Sequence, residues 1–202
     1  MNKFEICPTF STPILHSHCE VSCGVIDKLQ QYRFENHTKT NMISIVNFLE
    51  FDELSNQKNI IVETLKKYLH STCGIDKCIS VEICSSWANL NRPGDYLGRR
   101  QNQNSFISGI WCIYSKEKCG ELKIHSPNTN LFGECFNFIR TFPNDYNMNV
   151  VNYEIKPGDL FIFPSKLQYE VTKNESDREL VFISFNCMFR GTMLSDNTPV
   201  FL

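Results

Sequence analysis

The sequence predicts a mainly β fold with helices near its N-terminus, arranged as a two-sheet sandwich or jelly roll. Three observations carry this. After Gly74 the chain breaks into short apolar or alternating runs with polar turns between them: KCISVEICSSWANL, SFISGIWCIYS, GELKIHS, VVNYEIKPGD, LFIFPS, YEVTKN and LVFISFNCMF. Sixteen Phe and seven Tyr lean the composition toward sheet-forming side chains. Pro93-Gly94-Asp95 and Pro157-Gly158-Asp159 punctuate the runs as strand-linking turns do.

Before Gly74 the pattern differs. The opening FEICPTFSTPILHSH alternates around prolines and reads as an entering strand at a sheet edge, where a missing proline donor does no harm. From Cys19 to about Glu35, Val21, Val25, Ile26, Leu29 and Tyr32 recur at helical spacing, and polar Asn36 to Asn41 ends that helix. A second helix has Asp52 or Ser55 as its cap, Ile60, Ile61, Leu65, Tyr68 and Leu69 on one face, and Gly74 as a left-handed stop. Both helices are expected to pack outside a sheet. The stretch from Ser126 to Asn149, rich in Asn, Phe and Pro, reads as a long loop that forms a lid or binding surface.

Composition narrows the function classes. With 202 residues and no abrupt compositional shift, one domain is expected: 1–79 as N-terminal strand and supporting helices, 80–190 as the β core, 191–202 as a tail. A formal charge of -2 and scattered basic residues argue against nucleic acid. Neither an 18-residue apolar span nor an apolar leader is present, so a cytoplasmic chain with no membrane partner and ten reduced cysteines is expected. Cys19/Cys23 and Cys73/Cys78 lack the second pair that a zinc site needs. The sequons at Asn36 and Asn174 carry meaning only in a secreted chain.

His16 and His18 share one face of a strand and could turn both imidazoles toward a metal, but no third ligand lies nearby in sequence. His125, on GELKIHS, is the other histidine in a strand-like run, and a surface or core imidazole is its commoner fate.

The order SWANLNRPGDY (85–96 with the preceding Ser), N-S-x-x-S-G (104–109), G-E-L (120–122), P-G-D-L-F-I-F-P-S (157–165) and I-S-F-N (183–186) resembles the 2-oxoglutarate- and iron(II)-dependent oxygenases of bacteria and phages. The resemblance implies a double-stranded β-helix (jelly roll, cupin-like) that holds iron through converging imidazole and carboxylate donors, with open positions for 2-oxoglutarate and O2. In that family an H-x-H stands shortly before N-S-x-x-S-G, and a distal His follows F-P-S. By the same count these positions carry Arg100, Asn102 and Tyr169 here. The family's 2-oxoglutarate anchor, an Arg at the start of the I-S-F-N strand, falls on Leu180, with Arg178 two residues earlier. Arg has no lone pair to donate, Asn offers a weak carbonyl oxygen, and Tyr must first lose a proton with a pKa near ~10.

Three expectations follow. The first is a non-catalytic pseudo-oxygenase with no cofactor, serving as a binding or regulatory module for an unknown protein partner or a small anionic ligand. Its candidate ligand-binding residues are Arg100, Asn102, Tyr169, Arg178 and Asn186. Arg100 is either an anion-binding cation or, like Arg99, a solvent-facing side chain. The second is an active hydroxylase that uses Fe(II) and 2-oxoglutarate through relocated ligands drawn from His125, His16 and His18. The third is an assembly role, with homo-oligomerisation through an edge strand or through Phe132, Phe136, Phe138 and Phe142 of the long loop. Twenty Asn, with many Ile and Lys, match an AT-rich coding sequence and are compatible with a phage origin, hence a host cytoplasm.

Overall fold

The computed structural model describes residues 11–44, 46–127, 142, 144, 147–194 and 199–201. In chain order these form β1 (Leu15–His18), α1 (Cys23–Gln31), β2 (Glu35–Thr38), β3 (Asn41–Ile43), two short 3-10 turns, α2 (Ser55–Lys67) and a π turn (Tyr68–Thr72). The strands β4 (Ser80–Asn91), β5 (Leu97–Arg100), β6 (Ile107–Tyr114), β7 (Glu121–His125), β8 (Val150–Glu154), β9 (Asp159–Pro164), β10 (Tyr169–Val171) and β11 (Leu180–Arg190) follow. A hairpin of β12 (Thr192–Leu194) and β13 (Pro199–Phe201) comes after them.

One sheet has the order β1-β9-β6-β11-β4-β3-β2 and the other β5-β10-β7-β8, with every pairing antiparallel. From β4 to β11 the chain passes back and forth between the two sheets, which is the double-stranded β-helix. β1 pairs only with β9 and lies at a sheet edge, as expected of the entering strand.

Alternation along the strands builds two cores. On β6, β9 and β11 the residues Trp111, Leu160, Ile162, Ile183 and Phe185 pack with Leu54, Ile61, Leu65 and Tyr68, so the helices cover the outer face of the larger sheet. The intervening residues Ile110, Cys112, Phe161, Phe163, Leu180 and Phe182 point between the sheets and meet Leu97, Leu122, Ile124, Tyr169 and Val171. None of these inward side chains is more than 2% exposed. Burial pushes the Cys112 thiol up to about 12, so it stays protonated as a small hydrophobe.

A Cβ on Gly109 would lie 2.0 Å from Cζ of the fully buried Phe185, whose ring fills the space over that glycine. Gly158, at φ +88, occupies the left-handed region and lies under the His18 ring, 2.1 Å from where its Cβ would be.

Several local expectations need correction. The first helix is shorter than the apolar stripe: Val21 and Tyr32 pack from flanking extended chain, and Ile26 is 41% exposed. The polar segment after it is no terminator but the β2–β3 hairpin, held to the larger sheet by β3–β4 pairing. The buried Asn41 Nδ2 donates to Asn91 Oδ1 at 2.7 Å beside that pairing. Neither Asp52 nor Ser55 caps α2; the N-cap is Leu54, whose complete burial fixes the entry of the chain. Ile60 is on the exposed side of α2, while Gly74, at φ +68, is the expected left-handed stop. Among the described residues no helix is long and apolar enough to cross a membrane.

Candidate functional site

The end of β5, the start of β6, the end of β9 and the start of β10 meet at one mouth of the barrel. Arg100 is the Cα partner of Tyr169, Ile107 of Pro164, and Asn186 of Ser108. The positions that the resemblance assigns to metal ligands therefore do converge. β5 is bulged, since Tyr169 faces Arg100 while Val171 faces Leu97. Leu97 and Arg100, three residues apart, thus share the inward face, and Arg99 is turned out.

The side chains here form a hydrogen-bonded chain of neutral groups. The Tyr169 hydroxyl donates to Asn102 Oδ1 at 3.2 Å, and Asn102 Nδ2 donates to Ser108 Oγ at 3.0 Å. Ser108 Oγ donates to Asn186 Oδ1 at 3.1 Å and lies 2.7 Å from Ser165 Oγ. Ser165 Oγ in turn contacts Ser105 Oγ at 2.9 Å, and Ser105 Oγ donates to the Ile107 and Cys187 carbonyls. Ser108, Ser165 and Tyr169 are each 1% exposed.

These residues do not fit an iron centre. Arg100 has no lone pair to offer, and both polar atoms of the Asn102 amide are engaged with Tyr169 and Ser108. Burial pushes the Tyr169 phenol above its usual range, against the opposing pull of the Arg100 cation and of the Asn102 hydrogen bond, so it remains protonated and donates. Among the described residues no three His, Cys, Asp or Glu side chains gather closely enough to hold a metal ion. The anchor position is equally altered, since Leu180 is fully buried among the inward apolar side chains.

The other candidates are dispersed. His16 and His18 do share a face, but they pair with Phe161 and Asp159, toward the end of β9 away from the mouth. His16 Nε2 lies 3.0 Å from Asp159 Oδ1 and its ring stacks on Phe161 at 4.4 Å. His125 follows inward-facing Ile124 and so lies on the outer face of the smaller sheet, 3.6 Å from Glu170 Oε1. The geometry does not bring these three imidazoles together. Arg178 is not on the strand but in the preceding turn, exposed beside Asp177 and Glu179 in an outer groove of about 650 Å³ that also includes Ile26 and Tyr114. Asn186 is part of the serine chain. Phe142 is 63% exposed, and Phe132, Phe136 and Phe138 lie outside the described residues.

Ser105, Ser108 and Ser165 all stand in the sequence motifs, which give no sign of their part in the site. Replacing Ser108 by Ala removes the hydroxyl that serves three partners and is expected to cost about 1–3 kcal/mol. Urea denaturation of the two proteins measures it, and an unchanged midpoint would show that the serine chain is not holding the strands. His125 gives a pH test. Desolvation, then the Arg99 cation, hold its pKa below 6.5, with Glu170 opposing. As pH falls below 6.5 the unfolded chain takes up this proton first, so stability falls toward the folded pKa and then levels. His125→Gln is expected to flatten that part of the stability profile.

Residues 85–186, half of the chain, match the family described as "Putative 2OG-Fe(II) oxygenase", and the chain belongs to that family. No protein of curated function matches it in sequence. In structure it is similar to a Pseudomonas putida prolyl-4-hydroxylase, with TM-score 0.56 and 11% identity over 87% of this chain and 93% of that one. It is also similar to the non-heme alpha ketoglutarate dependent epimerase SnoN from nogalamycin biosynthesis, with TM-score 0.61 and 12% identity over 88% and 76% of the two chains. A third is HygX from Streptomyces hygroscopicus, solved with nickel, 2-oxoglutarate and hygromycin B, with TM-score 0.55 and 7% identity over 87% and 82%. At these identities the likeness is one of fold.

Proposed function

We propose that this chain is a non-catalytic member of the oxygenase family, a pseudo-oxygenase whose barrel serves as a binding or regulatory module. The observation that carries the reading is the neutral chain Tyr169–Asn102–Ser108, which occupies two of the three ligand positions with donors and acceptors already committed to each other. Leu180, apolar and buried at the anchor position, supports it from the other end of β11. The family motifs here have scaffold work instead. Asn104 makes a left-handed turn at φ 56, Ser105 and Ser108 link strands, and Gly109 admits the Phe185 ring. An Asn-rich composition accords with a phage gene acting in a host cytoplasm.

Purification without oxygen, metal analysis and a succinate-release assay with 2-oxoglutarate test the reading. The expected result is no stoichiometric iron and no 2-oxoglutarate-dependent succinate. Stoichiometric iron with turnover would establish the hydroxylase instead. Light scattering reports whether the module works as a homo-oligomer.

A further inference from the structure

We infer that Arg100 is the cationic floor of a small-anion site at the barrel mouth, taking the carboxylate or phosphate group of a small molecule; this rests on the non-catalytic reading above. The register places Arg100 on the inward face opposite Tyr169, and its charge is felt at the Tyr169 phenol. Its Nε is buried and has no hydrogen-bond partner among the described residues. None of the ion pairs among the described residues includes it; the arginines that do pair there are Arg178 with Asp177 and Arg190 with Glu82.

A guanidinium whose Nε is withdrawn from water without a partner raises the free energy of the folded state unless an anion completes it. Neither of its two amino groups is both sealed and unpartnered, and none of the hydrogen bonds among the described residues engages them, so the guanidinium fork is left for a guest. Such a fork matches a carboxylate or phosphate bidentately, as a lysine ammonium would not. The surroundings favour an exogenous anion over an internal one. Glu170, the carboxylate next in sequence to Tyr169, is on the opposite face of the smaller sheet with His125, while the inward neighbours Tyr169 and Asn102 are neutral. The position that would hold a divalent cation in an active relative therefore presents positive charge, and the preferred guest changes sign.

The test uses the full chain, with succinate and inorganic phosphate as probes at millimolar concentration and ionic strength balanced by sodium chloride. At least one probe is expected to raise the Tm of the native protein by about 3 °C and to move the Arg100 Nε–Hε cross-peak in a nitrogen–proton spectrum. Which probe acts tells carboxylate from phosphate. Arg100→Met, which keeps the aliphatic stem, is expected to abolish the response and, without anion, to melt no lower than the native protein. Equal shifts in the two proteins, or a cross-peak unmoved by both probes, would overturn the inference. So would an Arg100→Met variant that melts well below the native protein without anion, because the cation would then have a partner within the chain. Metal analysis on the same samples separates the two readings. Iron with turnover defeats the non-catalytic reading, whereas absence of both iron and anion response defeats only the anion site.

Discussion

Gly109→Ala is expected to destabilise the chain by about 3 kcal/mol or more, with part of the loss recovered by Phe185→Leu in the same molecule. A methyl at position 109 would stand 2.0, 2.4 and 2.6 Å from three ring carbons of Phe185. That ring cannot swing away cheaply, because Phe185 is fully buried in the core between the larger sheet and the helices. The backbone of β6 cannot retreat either, since Gly109 pairs with Phe185 on one side and with Ile162 on the other. The core must therefore shift as a whole, and interiors packed at crystalline density resist that. Denaturant midpoints of the native protein, both single variants and the double variant form a cycle. Strictly additive effects would mean that ring and glycine do not compete for one space.

Histidine placed at Arg100, Asn102 and Tyr169 together is expected to create a divalent-metal site, raising affinity for Co(II) or Ni(II) at least ~100-fold over the native chain. The expectation rests on convergence: Arg100 and Tyr169 are Cα partners across β5 and β10, and Asn102 reaches the Tyr169 hydroxyl at 3.2 Å. Single replacements are not expected to suffice, because one imidazole among neutral amides and hydroxyls does not complete a coordination sphere. Visible absorption of the Co(II) form and calorimetric titration measure the gain. A triple variant that folds and still takes up no metal would show that these side chains do not aim at one point. Even when it binds metal, the variant is expected to turn over no 2-oxoglutarate, for Leu180 offers the co-substrate's carboxylate no charge.

Much of the barrel was legible because β4 begins with a period-two alternation and β6, β9 and β11 are short apolar runs between turns, their successive residues meeting one core and then the other. The β2–β3 hairpin was not, because Glu35 to Asn41 is polar throughout, and its place comes from β3–β4 pairing and a contact between Asn41 and Asn91, fifty residues apart. At the site, counting from the motifs located Arg100, Asn102 and Tyr169. It could not say that Arg100 faces inward, since the bulge in β5 puts residues three apart on one face and defeats alternation. The serine chain was hidden for another reason. Which hydroxyl meets which depends on the register of β6 against β9 and β11, and a serine gives no periodic signal of its partner.

The links Ser105–Ser165, Ser165–Ser108 and Ser108–Asn186 bind the start of β6 to the turn after β9 and to β11 without help from Arg100, Asn102 or Tyr169. A barrel cross-tied in this way keeps its shape whatever occupies the three ligand positions. On the non-catalytic reading, substitutions at those positions are expected to be tolerated one at a time, each intermediate remaining a folded protein.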